Sequence, residues 1–198
     1  MASRLDQLRK AASGCRDCPL WANATQTVFG AGDPHARVML VGEQPGDEED
    51  RKGLPFVGPA GRLLDRALDA AGIERERLYV TNAVKHFKWQ LRGKRRLHKT
   101  PAQREIAACH QWLEGEIQTV KPHVIVALGA TAAKAIIGPE FKVSVQRGQF
   151  AESPLAPYVF ATFHPSALLR LREDEEKEVA FQQLVGDLKL ISKALDRP

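Results

Sequence analysis

Four short apolar runs punctuate the chain, and each gives way to a glycine or a polar residue. The run at residues 37–41 leads into Gly42-Glu43-Gln44-Pro45-Gly46, and that at 78–81 ends on Asn82. The run at 124–128 closes on Gly129, and that at 158–162 leads into Phe163-His164-Pro165-Ser166. The third is wholly apolar, as expected of a strand buried on both faces. Between the runs, apolar positions recur at helical spacing. Leu5 and Leu8 share a face of a helix over 3–12 that Gly14 ends. Leu63, Leu64, Ala67, Leu68 and Ala71 stripe a helix over 60–71, with Pro59 in its first turn and Gly72 at its end. Thr100 as N-cap and Pro101 as first helical residue open a longer helix, with Ile106, Cys109, Leu113, Ile117 and Val120 inward. A short helix follows Gly129, Ser166 caps another starting at Ala167, and a last one runs to Leu195 with Phe181, Leu184, Leu188 and Ile191 inward. Residues 47–52 read as a charged loop, 54–59 as an apolar loop around Phe56, 141–150 as an extended excursion, and 173–178 as a solvated acidic face. Strands alternating with helices predict an α/β fold: a three-layer α/β/α sandwich with a central four-stranded parallel sheet, in one domain over 1–198.

In a parallel sheet the C-terminal strand ends lie along one edge, where open α/β folds bind ligands. Glu43, Asn82 and His164 are therefore expected to converge. A carboxylate, an amide and an imidazole suit the reading of a flat heterocycle and the stabilisation of charge on it. The turn after the first strand is neither a dinucleotide fingerprint nor a phosphate-binding P-loop.

Charge adds a partner to this picture. Residues 85–104 hold eight Lys or Arg and no Asp or Glu, so this one excursion outweighs the chain's net +5. A single-sign segment with Phe87 and Trp89 interleaved fits a nucleic-acid backbone better than a solvated loop. No apolar run approaches the about 20 residues of a membrane span, and the N-terminus lacks the apolar core of a signal peptide. We expect a cytoplasmic monomer with no membrane partner. Three cysteines, two of them as Cys15-Arg16-Asp17-Cys18, point to metal rather than to a disulfide. Cys109 also reads as a small buried hydrophobe.

Gly42-Glu43-Gln44-Pro45-Gly46 and His164-Pro165-Ser166 resemble the two motifs of the uracil-DNA glycosylase superfamily. Cys15, Cys18, the Thr81-Asn82-Ala83-Val84-Lys85 strand end and Cys109 resemble its iron–sulfur family 4. Two residues depart from that pattern: His86 stands where a cysteine is usual, and Gln44 where a small residue is usual. The basic insertion Lys94-Arg95-Arg96-Leu97-His98 has no counterpart there. All three features resemble the UdgX branch.

The resemblance implies an enzyme that excises uracil from single- or double-stranded DNA and stays covalently attached to the abasic site. It implies that Asn82 reads the flipped base, that Phe56 stacks on it (core packing being the plainer reading), and that His164 donates to the uracil oxygen that gains charge. Glu43 opposes the C1′ cation or takes a proton from the attacking group, which is His98 itself. Gln44 holds either the loop or the carboxylate. Lys94, Arg95, Arg96 and Lys99 contact phosphates, with Arg95 or Arg96 alternatively bracing the loop. Ser166 and Arg170 are further DNA contacts, Arg170 being as readily a plain surface residue. Cys15, Cys18, His86 and Cys109 form a set that zinc accepts readily, whereas the family implies a [4Fe–4S] cluster. Two other functions stay open: a conventional turnover family 4 uracil-DNA glycosylase, and a non-catalytic metal-containing nucleic-acid-binding module.

Overall fold

The structure is a computed structural model that describes residues 3–197. Its elements in order are α1 (Arg4–Ala12), β1 (Ala31–Gly32), β2 (Val38–Gly42), α2 (Asp47–Lys52), α3 (Pro59–Ala71) and β3 (Leu78–Asn82). There follow β4 (Trp89–Arg92), β5 (Arg95–His98), α4 (Gln103–Val120), β6 (Val124–Leu128), α5 (Ala130–Ile136) and α6 (Val143–Gln146). The chain closes with β7 (Phe150–Ala151), β8 (Tyr158–Thr162), α7 (Pro165–Leu168), α8 (Asp174–Leu188) and α9 (Leu190–Leu195).

One six-stranded sheet runs β1-β3-β2-β6-β8-β7. Its inner four strands are the four apolar runs, all parallel to one another. β1 and β7 add antiparallel edges of two residues each, too short to show any periodicity in the sequence. Alternate side chains of β2 and β6 serve opposite layers. Met39, Val41, Ile125 and Ala127 meet Leu5, Leu113 and Ile136 of α1, α4 and α5. Val38, Leu40, Val124 and Val126 meet Leu64, Leu184 and Ile191 of α3, α8 and α9. Helices thus flank a mostly parallel sheet, as the alternation of elements predicts. Parallel register also sets Gly42 beside Asn82 and Leu128 beside Thr162, so the strand exits share one edge.

Several local expectations give way. Residues 47–52 are helical, not a loop. Asp47, Glu48 and Glu49 occupy the first turn and Arg51 and Lys52 the last, matching the helix dipole without any apolar stripe. The basic excursion is a β-hairpin, β4 against β5, in a separate two-stranded sheet. Its two-residue turn begins at Gly93, whose φ of +60° suits only glycine readily. α4 begins after Ala102, not at Pro101, because Glu105 reaches back to the Ala102 N–H at 2.6 Å. α7 is capped by His164, whose ring accepts the Ser166 N–H, so Ser166 lies inside the helix. Residues 143–146 form one helical turn within the predicted extended stretch. The last helix divides at Lys189, and Leu188 and Ile191 both stay buried across the break. Among the described residues no helix is long and apolar enough to cross a membrane.

Beneath the strand edge lies a fully buried ion pair. Lys85 Nζ donates to Glu116 Oε2 at 2.5 Å, to Thr81 Oγ1 at 2.6 Å and to the Asn82 carbonyl at 2.7 Å. Glu116 Oε1 accepts from the Gly30 N–H and the Tyr79 hydroxyl. The pair therefore fastens α4 to the end of β3. Removing one partner strands the other charge in the core. Lys85→Ala should lower unfolding free energy by about 3–5 kcal/mol in urea titration; an unchanged midpoint would show that the pair does not brace this edge.

Candidate active site

Glu43 leaves β2, Asn82 ends β3 and His164 leaves β8, and all three line one cavity of about 900 Å³. Gln44, Phe56, His98, Ser166 and Arg170 line it too. Asn82 is 2% exposed, yet its Oδ1 has no hydrogen-bond partner among the described residues. An orphaned buried acceptor costs about 1–3 kcal/mol, a cost that a bound donor would remove. Its neighbours make room for such a ligand: a Cβ at Gly42 would press on Asn82 Oδ1 and on the Phe56 ring. Phe56 is buried, adopts a φ of +54° that is strained for a non-glycine residue, and tilts over His164 with ring centroids 5.8 Å apart. Glu49 holds the adjoining loop by accepting the Gly58 N–H at 2.8 Å.

Glu43 is used at both oxygens. His98 Nε2 lies 3.1 Å from Oε1, and the Thr131 hydroxyl donates a short hydrogen bond to Oε2. Burial alone would raise the Glu43 pKa, but these two donors outweigh it and hold the carboxyl below its ordinary range. Burial pushes His164 down to about 4, against the pull of Glu43, so its ring is neutral at physiological pH. The Ser166 N–H donates to His164 Nδ1 at 3.1 Å, which leaves the ring proton on Nε2. Thr131 has no motif to announce it. It stands two residues past Gly129, at the one strand exit where the sequence pattern suggests no site residue.

The hairpin that delivers His98 is fastened at several points. Gln44 donates to the carbonyls of Lys88 at 3.2 Å and Lys99 at 3.0 Å, and accepts the Lys88 N–H at 3.1 Å. Its side chain is thus engaged with both roots of the hairpin rather than with Glu43. Arg96 bonds Asp47 at 2.6 Å and Asp50 at 2.7 Å, with its guanidinium over the rings of Phe87 and Trp89. Of Arg95 and Arg96, the second is the brace, turned inward. Phe87 is buried and Trp89 donates to the Asn23 carbonyl, so these aromatics pack the hairpin onto the protein instead of facing a ligand. Lys85 and Lys88 are likewise paired, with Glu116 and Glu105. Lys94, Arg95 and Lys99 remain exposed, as do Arg92 and Arg104.

Cys18 and Cys109 share a small apolar cluster with Leu20 and Val84. Cys15 Sγ accepts Trp112 Nε1–H, and Cys109 Sγ accepts the Lys85 N–H, both at 3.2 Å. N–H donors aimed at sulfur suit thiolate ligands. Burial pushes the Cys109 thiol up to about 11 and raises that of Cys18, so a metal would have to displace their protons. His86 does not complete the set as placed, for its Nε2 is bonded to Thr27 Oγ1 at 3.0 Å. Among the described residues no three His, Cys, Asp or Glu side chains form a metal-holding group. The cysteines fit a metal centre in chemistry; the histidine fits it only by leaving Thr27.

A family model described as the uracil DNA glycosylase superfamily matches residues 29–189. The chain is 39% identical over 180 residues to a type-4 uracil-DNA glycosylase of Thermotoga maritima, covering 90% of each. It is 35% identical over 184 residues to the type-4 enzyme of Archaeoglobus fulgidus, covering 88% of this chain and 89% of that one. With the type-4 enzyme of Sulfurisphaera tokodaii it shares 35% over 175 residues, covering 83% and 76%.

Three groups face the Glu43 carboxylate: His98 from β5, Thr131 from α5 and His164 from the start of α7. Thr131→Val removes one donor to the ionised form. The Glu43 pKa should then rise toward its ordinary range, because one of the donors that favours the ionised form is lost. Carbon-13 titration of labelled glutamate would show this, with Thr131→Ser close to the parent. Identical titrations in all three proteins would mean that Thr131 does not tune the carboxylate.

Proposed function

This chain belongs to the uracil DNA glycosylase superfamily, and we propose that it excises uracil from DNA and then remains joined to the abasic site through His98. The carrying observation is the 3.1 Å contact of His98 Nε2 with Glu43 Oε1, in the same cavity as Asn82 and His164. In a turnover glycosylase that side of the sugar belongs to water. Here the hairpin puts an imidazole there.

On this reading a flipped uracil enters the cavity with its edge on the unpaired amide oxygen of Asn82 and its face on Phe56. The His164 Nε2–H donates to the uracil oxygen that gains charge as the glycosidic bond breaks. One such preorganised donor is worth about 3 kcal/mol. Uracil leaves with the bonding electrons, and the sugar becomes an oxocarbenium-like cation at C1′. Glu43, kept ionised by Thr131 and His98, opposes that charge. It then takes the Nε2 proton while Nε2 forms the bond to C1′. The product is a neutral alkylated imidazole with no good leaving group. Lys94, Arg95 and Lys99 meet phosphates, with Ser166 and Arg170 across the cavity, while Arg96 supports the hairpin from behind.

A denaturing gel of the protein with uracil-containing DNA tests this directly. A heat-stable shifted band at one adduct per protein is expected, and His98→Gly should instead release uracil repeatedly and leave abasic DNA. Turnover by the unmodified protein would establish the conventional glycosylase, and unaltered DNA a binding module.

The proposal includes a [4Fe–4S] cluster, in preference to zinc, on Cys15, Cys18 and Cys109, with His86 as fourth ligand once it gives up Thr27. Such a centre would cross-link the N-terminal turn, the exit of β3 and α4. Elemental analysis should find about four iron per chain with matching sulfide. Stoichiometric zinc without iron would overturn this part alone.

A further inference from the structure

The cavity extends well beyond the groups that face a base. At about 900 Å³ it has the capacity of a drug-sized site rather than of one pyrimidine ring. Its lining continues from Gly129 and Ala130 to Lys134 of α5, and then across to Lys142 and Ser144 at the start of α6. This wall stands apart from the β4–β5 hairpin, and the two differ in sequence, element and support.

Charge distinguishes the wall from the other flank of the same cavity. On the α2 side Asp47 pairs with Arg51 and Arg96, and Glu48 pairs with Lys52 and Arg62. The cations there are turned onto carboxylates, and the remaining acid, Glu49, accepts the Gly46 and Gly58 N–H groups. On the α5–α6 side Lys134 and Lys142 are exposed, and neither makes an ion pair among the described residues. Arg147, the next cation along, is spent on Asp187 at 2.5 Å. Arg170 lines the same cavity, with no ion pair among the described residues. The cavity therefore has one self-neutralised flank and one that presents Lys134, Lys142 and the Ser144 hydroxyl.

We propose that Lys134, Lys142 and Ser144 form a second phosphate track, which carries the DNA strand on one side of the flipped nucleotide while the hairpin carries the other. The strand would cross the cavity mouth from Lys94, Arg95 and Lys99 to the α5–α6 wall and pass over the reacting sugar. The self-neutralised α2 flank offers it no such path. This rests on the DNA reading above, and it explains why cations persist at a distance from the base-reading groups. Two tracks on opposite sides would also hold the backbone taut at the point where one nucleotide leaves the stack.

The test uses fluorescence anisotropy with a labelled single-stranded oligonucleotide bearing one 2′-fluoro-deoxyuridine, which resists excision. Wild-type protein is compared with Lys134→Gln/Lys142→Gln and with a control, Lys10→Gln/Lys193→Gln, on α1 and α9. The wall variant should bind more weakly, and its slope of log K against log salt should be shallower by about 1.4, or about 0.7 for each phosphate that is no longer neutralised. Trimming the oligonucleotide on one side of the uracil should abolish the difference, and trimming on the other side should preserve it. A wall variant with wild-type slope, or a control that changes equally, would overturn the track while leaving the active-site reading intact. Wild-type protein that binds no such DNA would overturn both.

Discussion

The placement of His98 depends on one guanidinium. Arg96 reaches back from the hairpin to Asp47 and Asp50 with bonds of 2.6 and 2.7 Å, and only 14% of its side chain is exposed. Asp50 is itself fully buried and receives the Thr25 N–H and hydroxyl, so the acceptor is held by contacts outside the hairpin. Charge-assisted bonds in a partly desolvated setting are strong and directional. The rings of Phe87 and Trp89 close the underside, and Gln44 ties down both roots. A loop of this length and charge would otherwise be among the most mobile parts of the protein. Clasped in this way, it presents His98 to Glu43 and leaves its remaining cations outward.

The same economy runs beneath the base-reading residue. Lys85 bonds the Asn82 carbonyl and Glu116 through its ammonium, and Cys109 through its main-chain N–H. One residue thus connects the end of β3, the inner face of α4 and the cysteine cluster. Asn82 can bear an unpaired amide oxygen because everything else about its position is over-determined. Preorganisation of this kind lets a site act on developing charge without rearranging.

The sheet and the convergence of Glu43, Asn82 and His164 were legible because strand periodicity and parallel topology are local and general rules. The four apolar runs became the four inner strands, and their ends met at one cavity. What escaped was set by pairings distant in sequence. Counting Lys and Arg over 85–104 overstated the outward charge, because Lys85, Lys88 and Arg96 meet Glu116, Glu105, Asp47 and Asp50 from other segments. Phe87 and Trp89, interleaved with those cations, fit a nucleic-acid-binding segment by sequence, but they meet Arg96 and the Asn23 carbonyl instead. Residues 47–52 lacked an apolar stripe, and their helix is held by charge order and by Glu49 reaching the Gly46 N–H. Thr131 is an ordinary residue whose significance is its distance from Glu43, which no one-dimensional pattern carries.

Mass spectrometry of the digested protein–DNA complex examines the central claim most closely. After denaturation, protease and nuclease treatment, the deoxyribose remnant should sit on the peptide containing His98, with fragmentation placing it on the imidazole. A remnant on Lys94, Lys99 or any other residue, or an adduct that persists in His98→Ala, would contradict the account.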